Sequence, residues 1–209
     1  SFVTNAQTTL ISSTGDGGFE NGTTLAANNW TAVNSSTDSW TAGTTPTVSA
    51  GARCAFISST SGGAQTWTYS QVSSIQHMYY DVTIPAGETI VTLAFKWKAG
   101  GEGTTTSDWD NLKVFWGTTT AIAAPVANTA LSSTFQISGP GAISGMYKLS
   151  STTYNNETIT VSGVPGSTYR LVFSWKSDIT DIANPPAALD EISLTSRVAL
   201  TPDAAPINY

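Results

Sequence analysis

The sequence predicts an all-β chain folded as a two-sheet jelly-roll β-sandwich, and three observations carry that expectation. Apolar and polar residues alternate in many short segments and nowhere recur at the 3,4 spacing of a helix for longer than about two turns. Charged residues make up only 11% of the 209 positions, against a globular norm of about 25%, with Ser, Thr, Asn and Gly in their place. The alternating segments are short and separated by turn signals, as in sandwiches and jelly rolls.

Taken in order, residues 1–14 read as a polar lead-in that supplies an edge strand. The strands then expected are NWTAVN, CAFISS, MYYDVTI, TIVTLAFKWKA, NLKVFWG, STFQIS, MYKLSS, ETITVS, STYRLVFSWKS and LDEISLT. Pro85-Ala86-Gly87-Glu88 and Val164-Pro165-Gly166-Ser167 read as turns, because proline presets φ and glycine accepts positive φ, and each introduces a long strand. Those two strands echo one another: turn, Phe-x-Trp-Lys strand, acidic loop, then an Asp before an apolar strand. Equivalent central strands of two stacked sheets explain the echo better than a duplicated domain, since half the chain has too few strands to close a core. Residues 15–196 are therefore expected to form one domain, with 197–209 as a tail or linker to a further domain.

Several function classes are disfavoured. A formal charge of -6, with eight Lys and Arg scattered singly, provides no phosphate-binding patch, so nucleic acid is not an expected partner. No apolar run reaches 18 residues and no charged-apolar-small leader opens the chain, so neither membrane insertion nor an attached signal peptide is expected. Cys54 is the single cysteine and His77 the single histidine. One of each cannot fill a zinc shell, and His77 has no nucleophile pattern nearby, so it reads as a strand-end packing residue. Cys54 sits in an alternating strand, where a thiol behaves as a small apolar side chain.

The carboxylates are more informative. Glu20 follows a glycine-rich stretch beside the first core strand, and Asp190 opens the last strand among apolar residues. First and last strands of a jelly roll lie together, which brings these two acids within reach of one cation. Converging carboxylates in an apolar setting need such an ion, and hard oxygen ligands suit Ca2+. Gly15, Gly17 and Gly18 would let carbonyls turn toward it. A second acidic group, Glu102, Asp108 and Asp110 with Asp178 and Asp181, follows the two Trp-Lys strands. It reads either as turn-capping acids paired with Lys98 and Lys176, or as a second cation or sugar-hydroxyl site. Among seven tryptophans, Trp30, Trp97 and Trp175 read as core and Trp40 as intermediate. Trp67 and Trp109 lie in polar loops with little to cover them and are the expected ligand contacts, followed by Tyr69 and Trp116.

The stretches GGFENG and NNWT, YYDVTIPAGETIVTLAFKWKAGGEG, DWDNLKVF, and RLVFSWKSD with PPAALDEISL together resemble jelly-roll domains of large secreted surface proteins of Bacteroidetes-type bacteria. In outline these are similar to MAM domains, to adhesin domains of secreted proteases and to calcium-bearing carbohydrate-binding modules. The resemblance spans about residues 15–196. It implies a structural Ca2+ held by Glu20 and Asp190, with Asp16 a weaker candidate, and a non-catalytic role in adhesion or glycan binding outside the cell, with a glycan or cell-surface polysaccharide as partner. A structural spacer or protein-binding adhesin module is the alternative. A polysaccharide-cleaving enzyme using Glu102 and Asp110 is a further one, without a spacing that singles out a carboxylate pair.

Overall fold

The computed structural model describes residues 6–35, 37–59, 65–181 and 184–200, and within them eleven strands form two antiparallel sheets packed face to face. The six-stranded sheet runs β3 (Ser39–Gly43), β4 (Cys54–Ser58), β11 (Ala188–Arg197), β6 (Ile90–Ala99), β9 (Ser150–Ser162), with β1 (Gln7–Ile11) also on β11. The five-stranded sheet runs β2 (Thr31–Val33), β5 (Ser74–Thr83), β10 (Thr168–Ser177), β7 (Asn111–Thr118), β8 (Gln136–Ile137). Among the described residues no helix is long and apolar enough to cross a membrane.

The alternation read from the sequence decides which side chains meet between the sheets. From β6, Leu93, Phe95 and Trp97 turn inward, and from β10, Leu171, Phe173 and Trp175 do the same. The two Phe-x-Trp-Lys strands thus sit in opposite sheets, and Phe95 meets Phe173 edge-on at 5.3 Å between ring centroids. Edge-to-face pairing places a positive ring edge on a negative ring face. Gly87 and Gly166 take positive φ, +80° and +77°, in the two expected turns.

Some elements differ from the expectation. SWTAG forms β3, an edge strand on β4, because Trp40 and Ala42 alternate into the core from a stretch of only five residues. MYKLSS and ETITVS do not form two strands: Ser150–Ser162 is one continuous strand, and Tyr147 makes a single bridge to Leu112. In STFQIS, Ser133–Phe135 is a 3-10 turn and only Gln136 and Ile137 pair with β7. His77 is inside β5 rather than at its end. Its Nε2 donates toward the carbonyl oxygens of Val126 and Thr129, pinning the segment after β7 across the outer face of the five-stranded sheet. Ile122, Leu131 and Phe135 of that segment pack there on Phe115, Val172 and Tyr79.

One feature of β11 positions the carboxylates. Along one side it pairs with β6, whereas on the other it pairs with β4 at Ala188 and Leu189 and with β1 only from Leu194 onward. Between them the register shifts from Asp190 to Ser193, and Glu191 has φ of 48°. The gap is filled by the turn after β1, where Ile192 N donates to Gly17 O at 2.9 Å. Gly17 is required by this approach, since a Cβ there would stand 1.7 Å from Ile192 O.

Candidate functional site

The β11 gap brings Glu20 and Asp190 to one place. Both line a cavity of about 280 Å³ together with Ser13, Thr14, Gly18, Ala50, Gly51 and Glu191. Both also grip the loop before β4. Asp190 Oδ2 accepts from Ser49 N at 2.7 Å and Ala50 N at 3.2 Å, and Glu20 Oε1 accepts from Ala52 N at 2.7 Å and Arg53 N at 2.9 Å. Burial pushes the Asp190 carboxyl up, while the N–H donors from Ala50, Ser49 and Glu191 pull the other way. Glu191 is held low by its ion pair with Lys96 at 2.7 Å.

As a calcium set these residues fit by chemistry. After its N–H donors, Asp190 Oδ1 keeps a free lone pair, and among the described residues no donor is recorded for Glu20 Oε2. No three Asp, Glu, His or Cys among the described residues gather in a metal-holding group, so such a shell would be completed by backbone carbonyls. Asp16 lies outside this cavity. Its carboxylate accepts from Asn21, from Asn29 at 2.8 Å and from the Tyr80 hydroxyl at 2.7 Å, and its carbonyl accepts from Trp30 Nε1 at 2.9 Å. Asp16, the weaker candidate, thus turns its oxygens to organising the turn under Trp30.

The acidic loops do meet at one end of the sandwich. Asp178 N donates to Asp110 Oδ1 at 2.8 Å, the Tyr69 hydroxyl donates to Asp110 Oδ2, and Thr180 Oγ1 reaches Glu102 Oε1 at 3.4 Å. Asp110 is fully buried and Glu102 nearly so, with Glu102 Oε2 buried and without a hydrogen-bond partner among the described residues. Burial pushes the Glu102 carboxyl up, and the charges of Asp110, Asp178 and Asp181 push it further. Asp108 points elsewhere: Lys113 lies 2.9 Å from its carboxylate and Lys176 3.7 Å, and its carboxyl is held low by the bonds from Lys113 and Asn111 despite partial burial. Lys98, expected to pair with these acids, instead donates to Thr47 O at 2.9 Å on another face.

The aromatic residues divide sharply. Trp109 is 48% exposed, its ring resting against Gly103, where a Cβ would stand 2.7 Å from Cε3. Trp67 is not the uncovered platform expected. It is half-buried over Cys54, Phe56 and Ala188, its Nε1 donates to Pro186 O at 2.9 Å, and the Lys98 ammonium sits 4.4 Å from its ring centre and 4.4 Å from that of Tyr154. The chain's own cation occupies this aromatic pair. Tyr69, at 3% exposure, is packed on Trp175, and Trp116, at 7%, stacks on Tyr169 with its Nε1 donating to Ser162 O. Both belong to the core, because each projects to the inner side of its segment.

A second cavity, about 290 Å³, opens beside Asp108 on the outer face of the five-stranded sheet. Its polar lining includes Lys113, Lys176, Ser133 and Ser174, with Phe115 and Leu131 as apolar wall. Of these, the sequence named only Lys176, as a partner of the loop acids. The available signal was parity: Lys113 and Phe115 alternate outward on β7, as Ser174 and Lys176 do on β10, and the register pairs Lys113 with Ser174.

No protein-family model matches the chain, and no curated protein matches it in sequence. Solved structures do match in fold. A Stig cyclase, Fisc, from Fischerella sp. TAU, in complex with (3Z)-3-(1-methyl-2-pyrrolidinylidene)-3H-indole, superposes with a TM-score of 0.52 at 12% identity, covering 93% of this chain and 100% of that one. The N-terminal CBM22-1–CBM22-2 tandem domain of Paenibacillus barcinonensis Xyn10C gives 0.52 at 16% identity, covering 97% of this chain and 50% of that one. At such identities the likeness shows the fold: a jelly-roll sandwich shared by carbohydrate-binding modules and by cyclases.

Proposed function

We infer that this chain is a non-catalytic carbohydrate-binding domain of a larger secreted or cell-surface protein, with a glycan or surface polysaccharide as partner and a structural Ca2+ at Glu20 and Asp190. The observation that carries the reading is Trp109, a half-exposed indole on a glycine support, one residue along the chain from an acid that lines a polar cavity. A flat apolar ring next to convergent hydrogen-bonding groups suits the C–H face and hydroxyls of a pyranose. The jelly-roll likeness to a carbohydrate-binding tandem supports it at the level of fold.

A hydrolytic reading gains nothing from the acids proposed for it, because Asp110 is buried with both oxygens engaged and Glu102 is covered. A bound Ca2+ would neutralise charge at the β11 gap. Glu20 and Asp190 themselves anchor the loop 49–53 to the first turn and the last strand. The test is a glycan array with wild type and Trp109→Ala, each in Ca2+ and in chelator, with melting curves. Expected are glycan signals lost in Trp109→Ala at unchanged melting temperature, and a lower melting temperature in chelator. An empty array in both conditions overturns the glycan reading, and a chelator-independent melt overturns the calcium.

A further inference from the structure

We propose that the cavity beside Asp108 is a subsite for an anionic sugar unit, a pyranose carrying a carboxylate or a sulfate ester; this rests on the carbohydrate reading and names the glycan class. The argument begins with charge. Lys113 and Lys176 stand on adjacent strands, β7 and β10, both facing outward into the cavity, and among the described residues Asp108 is the one acid lining it. Lys113 Nζ lies 2.9 Å from Asp108 Oδ1, while Lys176 Nζ lies 3.7 Å from Oδ2 and donates to the Asp108 carbonyl. One carboxylate is shared by two ammonium groups. Asp110 also senses Lys176, but it is fully buried with its oxygens taken by Tyr69 and Asp178 N.

Among the described residues, no other carboxylate is within ion-pair distance of two cations. Arg170 holds Asp81 at 2.7 Å, Lys96 holds Glu191 at 2.7 Å, and Lys98 and Lys148 are buried against backbone carbonyls. In a chain of net charge -6, a cavity lined by two positive charges and one negative is a local excess against the composition. Each ammonium offers three donors, so both keep capacity for an incoming anion. Ser133 and Ser174 add hydroxyls, Phe115 and Leu131 an apolar wall, and the volume of about 290 Å³ sits near the lower end of small-ligand sites, about 300 Å³, which suits a single ring.

The experiment is calorimetric titration of the full chain with tri-galacturonic acid, its methyl ester, galactose 6-sulfate and galactose, at low and high salt. Expected is binding of an anionic probe at least about tenfold tighter than its neutral counterpart, with the advantage shrinking in salt. Which anionic probe binds decides between carboxylate and sulfate. Lys113→Ala and Lys176→Ala should each lose about tenfold on the anionic probe alone, one charge-assisted contact's worth. Lys176→Arg should retain binding, and Asp108→Asn, by freeing both ammonium groups, should tighten it several-fold. A folding defect would not produce that gain. Equal binding of acid and ester, or of sulfate and galactose, overturns the anionic preference while leaving glycan binding standing; lysine variants that bind the anionic probe like wild type overturn it as well. Absence of binding to all four probes overturns the proposal, and the array then decides the broader reading separately.

Discussion

At the scale of single residues, two tryptophans with similar sequence surroundings have opposite fates. Trp67 closes a small apolar cluster and stacks with a buried cation, so Trp67→Ala is expected to destabilise the fold by about 2 kcal/mol or more, measured by chemical denaturation. Trp109→Ala should leave stability unchanged, because nearly half of its surface is already in water. Glu102 makes a different prediction. Its folded pKa is raised above the ordinary 4.5 by burial and by Asp110, Asp178 and Asp181, so the folded chain binds more protons than the unfolded one. The stability it contributes is full below 4.5 and is lost as pH rises from there through the folded value. Glu102→Gln, which imitates the protonated acid, should therefore raise the melting temperature by a few degrees at pH 7.5 and leave it unchanged at pH 4, in melting scans across that range.

At the scale of elements, the interrupted pairing of β11 is the organising device. A strand partnered by β4 at its start and β1 at its end leaves a central gap, and the turn 12–20 enters it through the contact of Gly17 with Ile192. Gly17→Ala should be among the most damaging small substitutions, about 3 kcal/mol or more, because its Cβ would meet backbone that cannot step aside. Circular dichroism under denaturant would show it; a cost below about 1 kcal/mol would mean that the turn does not dock as described. The same arrangement explains why Glu20 and Asp190 face one cavity while Asp16, four residues before Glu20, does not: Asp16 turns back under Trp30 and Tyr80.

At the scale of the whole molecule, the sheets join through the aromatic seam of Phe95, Tyr147, Phe173 and Trp175, and the loops they carry are sorted to the sandwich ends. The fold class was legible because period-2 alternation is imposed by burial of one sheet face and is written directly into residue order. The strands β6, β7 and β10 were legible for the same reason. β3 was not, since five residues carry too little periodicity, and neither was the fusion of two expected strands into β9, since pairing with β6 continues through residues whose own propensity is weak. For the site, the sequence placed Glu20 near Asp190 on the expectation that the first core strand lies beside the last, but that strand, β2, lies in the other sheet, and the two acids share a cavity because the turn after β1 enters the β11 gap. What it left open is which side chains are covered. Trp67, Tyr69 and Trp116 lie in or beside polar stretches yet are enclosed by residues distant in the chain, Pro186, Asp110 and Tyr169 among them, and the cavity of Lys113 and Lys176 exists only because two strands remote in sequence lie side by side. Alternation is a local property that burial writes into each strand; coverage and charge balance are sums over neighbours, and only the packed chain determines who those neighbours are.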